Sequence, residues 1–165
     1  MKNENLEDRF INDLNSNIGI VHRVCKVYGR DPREKQDLFQ EIVYQLWKSY
    51  PTFTGSSKFS TWMYKVAMNT AIGAIRKSSR ALPNRSLSGQ LPEIPDLTDP
   101  SDPEEKMQRL YAAINELSPI EKAIILLYLD EHSYEQIAAF TGLTKTHISV
   151  RLVRIKKRLE QKLKY

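Results

Sequence analysis

The run YEQIAAFTGLTKTHISVRLVRIKKRL, residues 134–159, decides the fold. A helix-turn-helix needs a small residue where two helices cross closely, a turn that tolerates glycine four residues later, and a branched apolar residue on the second helix to hold the angle. Ala138, Gly142 and Ile148 stand at those offsets, and Ile137 and Leu143 add core contacts. Thr144 is placed to cap the second helix, whose buried stripe reads Ile148, Leu152, Ile155 and Leu159. The opposite face then presents Lys145, Thr146, His147, Ser149, Arg151 and Arg154, cations and short donors suited to phosphates and base edges of a major groove. A charged, solvated face on an ordinary helical hairpin is the plainer alternative, but offset and charge agree here and favour duplex DNA.

Outward from this run, the charge is unevenly distributed. Residues 141–165 hold eight basic side chains and one acidic, Glu160. Residues 58–80 hold five basic side chains and no acidic one. Between them, residues 81–105 carry six acidic side chains, one basic and five of the eight prolines. Prolines at 83, 92, 95, 100 and 103 remove backbone donors and fix φ, so residues 81 to about 102 can form neither a long helix nor a central strand. It reads as a linker between two small domains, 1–80 and 106–165.

Within 1–80 the apolar residues recur at helical steps. Ile11, Leu14, Ile18, Val21, Cys25 and Tyr28 share one face of a first helix that stops at Gly29. Asp31-Pro32-Arg33-Glu34 is a strong start signal for a second, carrying Leu38, Phe39, Ile42, Val43, Leu46 and Trp47 and closing near Tyr50-Pro51. A third begins near Phe59 or Ser60 and is expected to bury Trp62, Val66 and Ile75, with close approach at Ala67, Ala71 and Ala74. Start signals recur at Asp102-Pro103-Glu104-Glu105 and Ser118-Pro119-Ile120-Glu121, and Ser133 with Gln136 makes a capping box. No strand pattern survives, so an all-α fold of two small helical domains is expected.

The segment from Phe53 to Arg80 mixes aromatics (Phe53, Phe59, Trp62, Tyr64) with Lys58, Lys65, Arg76 and Lys77 behind a loop rich in Gly, Ser and Thr. Aromatic faces stack unpaired bases while cations follow the backbone, a mixture better suited to single strands than to duplex. Packing in a helical core is the competing use of these rings, and for Trp62 the favoured one.

Composition excludes several classes. The chain has 165 residues, a net charge of +5 and one cysteine, which cannot build a disulfide framework. A metal site would have to draw on three isolated histidines, His22, His132 and His147, so no metal and no cofactor are expected. The polar start MKNENLEDRF has no apolar core of a signal peptide, and no run approaches the roughly 18 apolar residues of a membrane span; a soluble, cytoplasmic protein without membrane insertion is the expectation.

Two runs carry a family resemblance. DLFQEIVYQLW (37–47), followed by FTGSSKFSTWMYKVAMNTA (53–71), resembles region two of bacterial sigma factors, and residues 117–159 resemble region four. The acidic connector in place of an intermediate domain resembles the extracytoplasmic-function (ECF) class of the sigma-70 family. The resemblance implies a detachable specificity subunit that binds core RNA polymerase, through the β′ and β subunits, and directs promoter recognition and melting, without catalysis of its own. Asp37, Gln40 and Glu41 match the surface that docks on a coiled coil of β′, where carboxylates set orientation and specificity. Phe53 and Asn69 match positions that line the pocket for a base flipped from the minus-ten element, with Ser60, Thr61, Trp62 and Lys65 on the same melting surface. Flipping costs a few kcal/mol of stacking, which an aromatic face and an amide that both donates and accepts can offset. Residues 145–154 match the helix that reads the minus-thirty-five element. Many family members begin that helix with a Gly-Thr-Val-Lys-Ser-Arg run; this chain has Thr146-His147-Ile148-Ser149-Val150-Arg151, which alters the base-reading side chains. Kinship also implies an anti-sigma factor as partner. Against these stand two other classes: a stand-alone DNA-binding regulator, which leaves 37–47 and 53–69 without purpose, and a nucleic-acid-processing enzyme, for which no metal-spaced carboxylates, phosphate-cradling glycine loop or activated nucleophile is present.

Overall fold

The computed structural model describes residues 5–81 and 102–164, and side chains within 78–81 are excluded from the description. The described residues form eight α-helices and one 3-10 turn, with no strand among them. The chain divides into two compact units, Met1–Arg76 and Lys77–Tyr165. Residues 82–101, most of the stretch read as an acidic connector, lie outside the described residues.

The first unit holds α1 (Leu6–Ser16), α2 (Ile18–Tyr28), α3 (Pro32–Ser49), a 3-10 turn (Tyr50–Thr52) and most of α4 (Phe59–Ala81). The single first helix expected across Ile11 to Tyr28 is two helices broken at Asn17, whose φ of −127° leaves the helical region. Local polar groups cause the break. The Asn17 side-chain amide donates to the Asp13 carbonyl at 2.9 Å, and Ser16 Oγ donates to the Asn12 carbonyl at 2.9 Å, so the end of α1 is satisfied by side chains rather than by a continuing helix. In consequence Ile11 turns to solvent, and Phe10 is the residue α1 buries.

α2 buries Ile20, Val21, Val24, Cys25, Val27 and Tyr28, packs on α3, and ends where the Gly29 amide donates to the Cys25 carbonyl at 2.8 Å. A Cβ at Gly29 would stand 2.8 Å from that carbonyl and 2.5 Å from Lys35 Cγ, so only glycine lets the chain double back into α3 so tightly. Asp31 then caps α3 through the Glu34 amide at 2.8 Å with proline at the first turn, as the start signal requires. α3 seats Leu38, Ile42 and Leu46, one residue per turn, against the core.

α4 begins at Phe59, but its buried face is rotated from the expected one. Met63, Tyr64, Ala67, Met68 and Ala71 are buried, whereas Trp62, Val66 and Ile75 are only half-buried and Ala74 is exposed. Trp47, expected on the buried stripe of α3, is likewise 40% exposed, although its ring still meets Phe10 at 5.1 Å.

The second unit contains α5 (Pro103–Asn115), α6 (Pro119–Leu129), α7 (Tyr134–Thr141) and α8 (Lys145–Leu163). α5 opens at Pro103, inside the stretch 81–105 read as connector, capped by Asp102 through the Glu104 amide at 3.0 Å. Reciprocal capping boxes start α6 (Ser118 with Glu121) and α7 (Ser133 with Gln136). α5, α6 and α7 all pack on α8. Ile148, Leu152, Ile155 and Leu159 fill the shared core with Ile114, Ile124, Leu127 and Ile137. At about 1.5–3 kcal/mol for each large apolar side chain removed from water, this cluster is what holds four short helices together.

Candidate nucleic-acid interface

The geometry of the α7–α8 pair follows from its turn. Gly142 sits at φ +77°, its amide donating to the Ala138 carbonyl at 2.9 Å, which closes α7 in the left-handed conformation glycine adopts without penalty. Two residues on, Thr144 accepts from the His147 amide at 3.1 Å and opens α8. Ile148 is fully buried and Ala138 half-buried, as the helix-turn-helix offsets require.

α8 is thereby held by one apolar stripe and exposes the rest. Lys145, Thr146, His147 and Arg154 are exposed, whereas Ser149 and Arg151 are half-buried on the flanks. Its cations sort into two groups. Arg158 reaches Glu121 of α6 at 3.2 Å, Lys156 Nζ lies 4.1 Å from the centre of the Tyr128 ring, and Lys162 pairs with Glu116. These three tie α8 to α5 and α6, and the hydrogen bond to Tyr128 raises the Lys156 ammonium above its ordinary value. Lys145 meets Glu135 at 3.1 Å, a pair so exposed that a competing phosphate displaces it at little cost. Arg151, Arg154 and Lys157 make no ion pair among the described residues. The positive potential that remains available therefore lies along 145–157, on the outward side.

Val150, named above only within the departing run, and Val153, which sequence reasoning passed over, are 45% and 65% exposed on this same side. Counting 100° per residue from the buried stripe would have found them, since both fall opposite Ile148.

In the first unit, Phe53, Phe59 and Trp62 form a mutual cluster, with ring centres 5.3–5.5 Å apart, and Tyr50 meets Phe59 and Trp62 at 6.1 and 6.4 Å. The cluster is anchored by Tyr50, whose hydroxyl donates to Asp13 Oδ2 at 2.6 Å; burial and that bond raise the phenol above its ordinary value. Phe53 and Trp62 are half-buried, so the rings both pack and present an edge to solvent. Thr61, Lys65 and Asn69 stand at successive four-residue steps on α4, with Lys65 and Asn69 exposed; Ser60 is half-buried and, at 100° per residue, lies on the side of the helix opposite Asn69. The loop before α4 turns at Gly55, φ +78°. One face of α4 thus joins the Trp62 ring, the Thr61 hydroxyl, a cation and an amide, with Ser60 outside it.

On α3, Asp37, Gln40 and Glu41 are all exposed, opposite the Leu38–Ile42–Leu46 stripe. Glu41 accepts from Gln45 at 3.1 Å. Tyr44, which sequence reasoning passed over, extends this face and is 55% exposed; its position seven residues after Asp37 was the available signal. Among the described residues no group of three His, Cys, Asp or Glu side chains could hold a metal ion, and no helix is long and apolar enough to cross a membrane.

The chain thus holds two helical units, one closing in a cationic helix-turn-helix and the other presenting aromatics beside a polar helix face. Residues 14–81 match the family Sigma-70 region 2, and residues 107–159 match Sigma-70, region 4. The chain belongs to the sigma-70 family, and within it to the extracytoplasmic-function class of non-catalytic initiation factors. It is similar to the ECF RNA polymerase sigma-E factor of Escherichia coli K12, with 27% identity over 155 residues that span 86% of this chain and 81% of the relative. The sigma-E factor of Haemophilus influenzae is 29% identical over 138 residues, 77% of this chain and 73% of that one. Among solved structures, the sigma factor RpoE from Bartonella quintana, in complex with the anti-sigma factor NepR, has the same fold: TM-score 0.72, 23% identity, 94% of this chain and 96% of that one. CnrH, solved with the cytosolic domain of CnrY, matches at TM-score 0.64 and 15% identity, over 96% of this chain and 88% of that one.

Proposed function

We propose that the chain binds core RNA polymerase, through the β′ and β subunits, and gives it promoter specificity in two steps. The first is reading of duplex DNA by α8, with Lys145, Thr146, His147, Ser149, Arg151 and Arg154 at the upstream element. The second is capture of an unpaired strand by Phe53, Ser60, Thr61, Trp62, Lys65 and Asn69. The observation that carries this reading is the pairing, in one chain, of a helix-turn-helix whose outward cations stay uncommitted with an aromatic edge flanked by Lys65 and Asn69. A simple DNA-binding regulator needs only the former.

Polymerase engagement falls to the exposed face of α3. Asp37 and Glu41 offer carboxylates to basic groups, Gln40 offers an amide, and Tyr44 adds the kind of amphipathic ring that often dominates interface energy. Neither DNA contact has to be tight, because two sites on one tethered chain raise each other's effective concentration. An anti-sigma factor is a further partner on this reading, in keeping with the complex in which RpoE of Bartonella quintana was solved.

Transcription in vitro with core enzyme on a library of genomic fragments tests the proposal. Defined start sites that appear only when the chain is added are the expected result. Double reversal Asp37→Lys with Glu41→Lys is expected to abolish capture of core enzyme while the circular dichroism of the chain stays unchanged. Absence of any start-site selectivity on any template refutes the reading.

A further inference from the structure

The recognition helix carries two side chains whose exposure helix stability does not explain. Of the eleven residues from Lys145 to Arg158 that are not buried, all but two are charged or polar; the two are Val150 and Val153, 45% and 65% exposed. Valine is a weaker helix former than alanine or lysine, so neither is favoured there by propensity. They stand three residues apart, hence as neighbours on one face, and at 100° per residue both lie within about 50° of the direction opposite the Ile148–Leu152–Ile155–Leu159 stripe. Thr146, Arg154 and Lys157 surround them, all exposed. An apolar island set in uncommitted cations is a poor surface for a protein partner's core, which depletes charge, but it matches a major groove, where phosphates flank the one apolar group a base pair displays: the 5-methyl of thymine.

Resting on the proposed promoter reading by α8, the geometry points to Val150 and Val153 as specificity determinants that read thymine methyl groups in the upstream element. Their separation along the helix is about 4.5 Å at 1.5 Å per residue, against about 3.4 Å for one base step along a strand. The pair therefore addresses thymines at adjacent or nearly adjacent positions. Arg151 and Arg154 beside them supply the contacts that hold register.

The test uses holoenzyme assembled from core polymerase and the full chain. Upstream elements are first selected from a randomised duplex library, and each thymine of the winning duplex is then replaced singly by deoxyuridine, which deletes the methyl and keeps the Watson–Crick edge and the O4 acceptor. One or two positions are expected to lose about fourfold in affinity per methyl in the natural chain. Val150→Ala and Val153→Ala, which raise helix propensity, should each bind the thymine duplex more weakly and lose the deoxyuridine effect at one position. Val150→Thr, which keeps a methyl, should retain part of it. Uridine tolerated at every position, an element selected without thymine, or a uridine effect unchanged in both alanine variants overturns the inference while leaving upstream binding in place. A fall in core-enzyme affinity in the alanine variants, with DNA discrimination intact, also overturns it by assigning the valines to a protein contact. Complete absence of upstream protection refutes the promoter reading itself and the inference with it.

Discussion

Gly142→Ala isolates what the turn of the helix-turn-helix contributes. At φ +77° an L-residue incurs about 1–2 kcal/mol from its Cβ against the carbonyl. A Cβ built at Gly142 meets no heavy atom within 4 Å, so no packing term adds to this. Replacing glycine also restricts the unfolded chain, which returns about 0.4–1 kcal/mol. The net loss is therefore about 1 kcal/mol, close to a fivefold change in the folded-to-unfolded ratio. Both tryptophans, Trp47 and Trp62, lie in the unit Met1–Arg76, so their fluorescence serves as an internal control and should not respond. Hydrogen exchange of peptides from 134–159 reads the effect: protection of the α7 and α8 amides should fall about fivefold. Gly142→Asn should fall by less than half as much in free energy, because asparagine tolerates the left-handed region. If asparagine costs as much as alanine or more, volume rather than φ governs the site and the reasoning fails.

Three further outcomes follow from the structure. Arg151→Ala should weaken promoter binding by roughly 1–3 kcal/mol if the guanidinium reads a base, and less, evenly across sequences, if it touches phosphate; an unchanged footprint and salt slope would remove Arg151 from the site. Asn69→Ala should slow open-complex formation while sparing closed binding, and permanganate reactivity of the melted thymines equal to that of the natural chain contradicts the assignment. Burial pushes the Cys25 thiol up to about 11, so at pH 8 about one molecule in a thousand holds thiolate, and alkylation should be at least about a hundredfold slower than in urea-unfolded chain. Because the raised value favours the neutral thiol in the fold, its contribution to stability is intact below about pH 9 and lost as pH climbs through about 11. Labelling in native buffer at the free-thiol rate would mean that the α2–α3 core opens without unfolding.

Elements whose ends are fixed by neighbours in sequence were legible before any coordinates. Asp31, Asp102, Ser118, Ser133 and Thr144 each cap the helix they were read to cap, since the bond runs from a side chain to an amide two or three residues on. The α8 stripe was equally plain, because one helix packed on one side obeys its own period. The break at Asn17 was not, because the apolar spacing runs unbroken across it. The cue was polar and local, Asn15-Ser16-Asn17, whose side chains compete for the carbonyls a longer helix would use.

What the sequence alone settled is the starts of α3 to α8 and the cationic helix-turn-helix, all consequences of contacts within a turn or two of chain. What tertiary structure decided is which side of each helix faces out. The rotation of α4 that leaves Trp62 half-exposed in the Phe53–Phe59 cluster, the exposure of Tyr44 and Trp47 on α3, and the division of the α8 cations between Glu121, Tyr128 and open solvent all depend on residues distant in sequence. Burial is a property of the surface a neighbouring helix supplies, and periodicity specifies only that a helix has an apolar side, not where its edge falls.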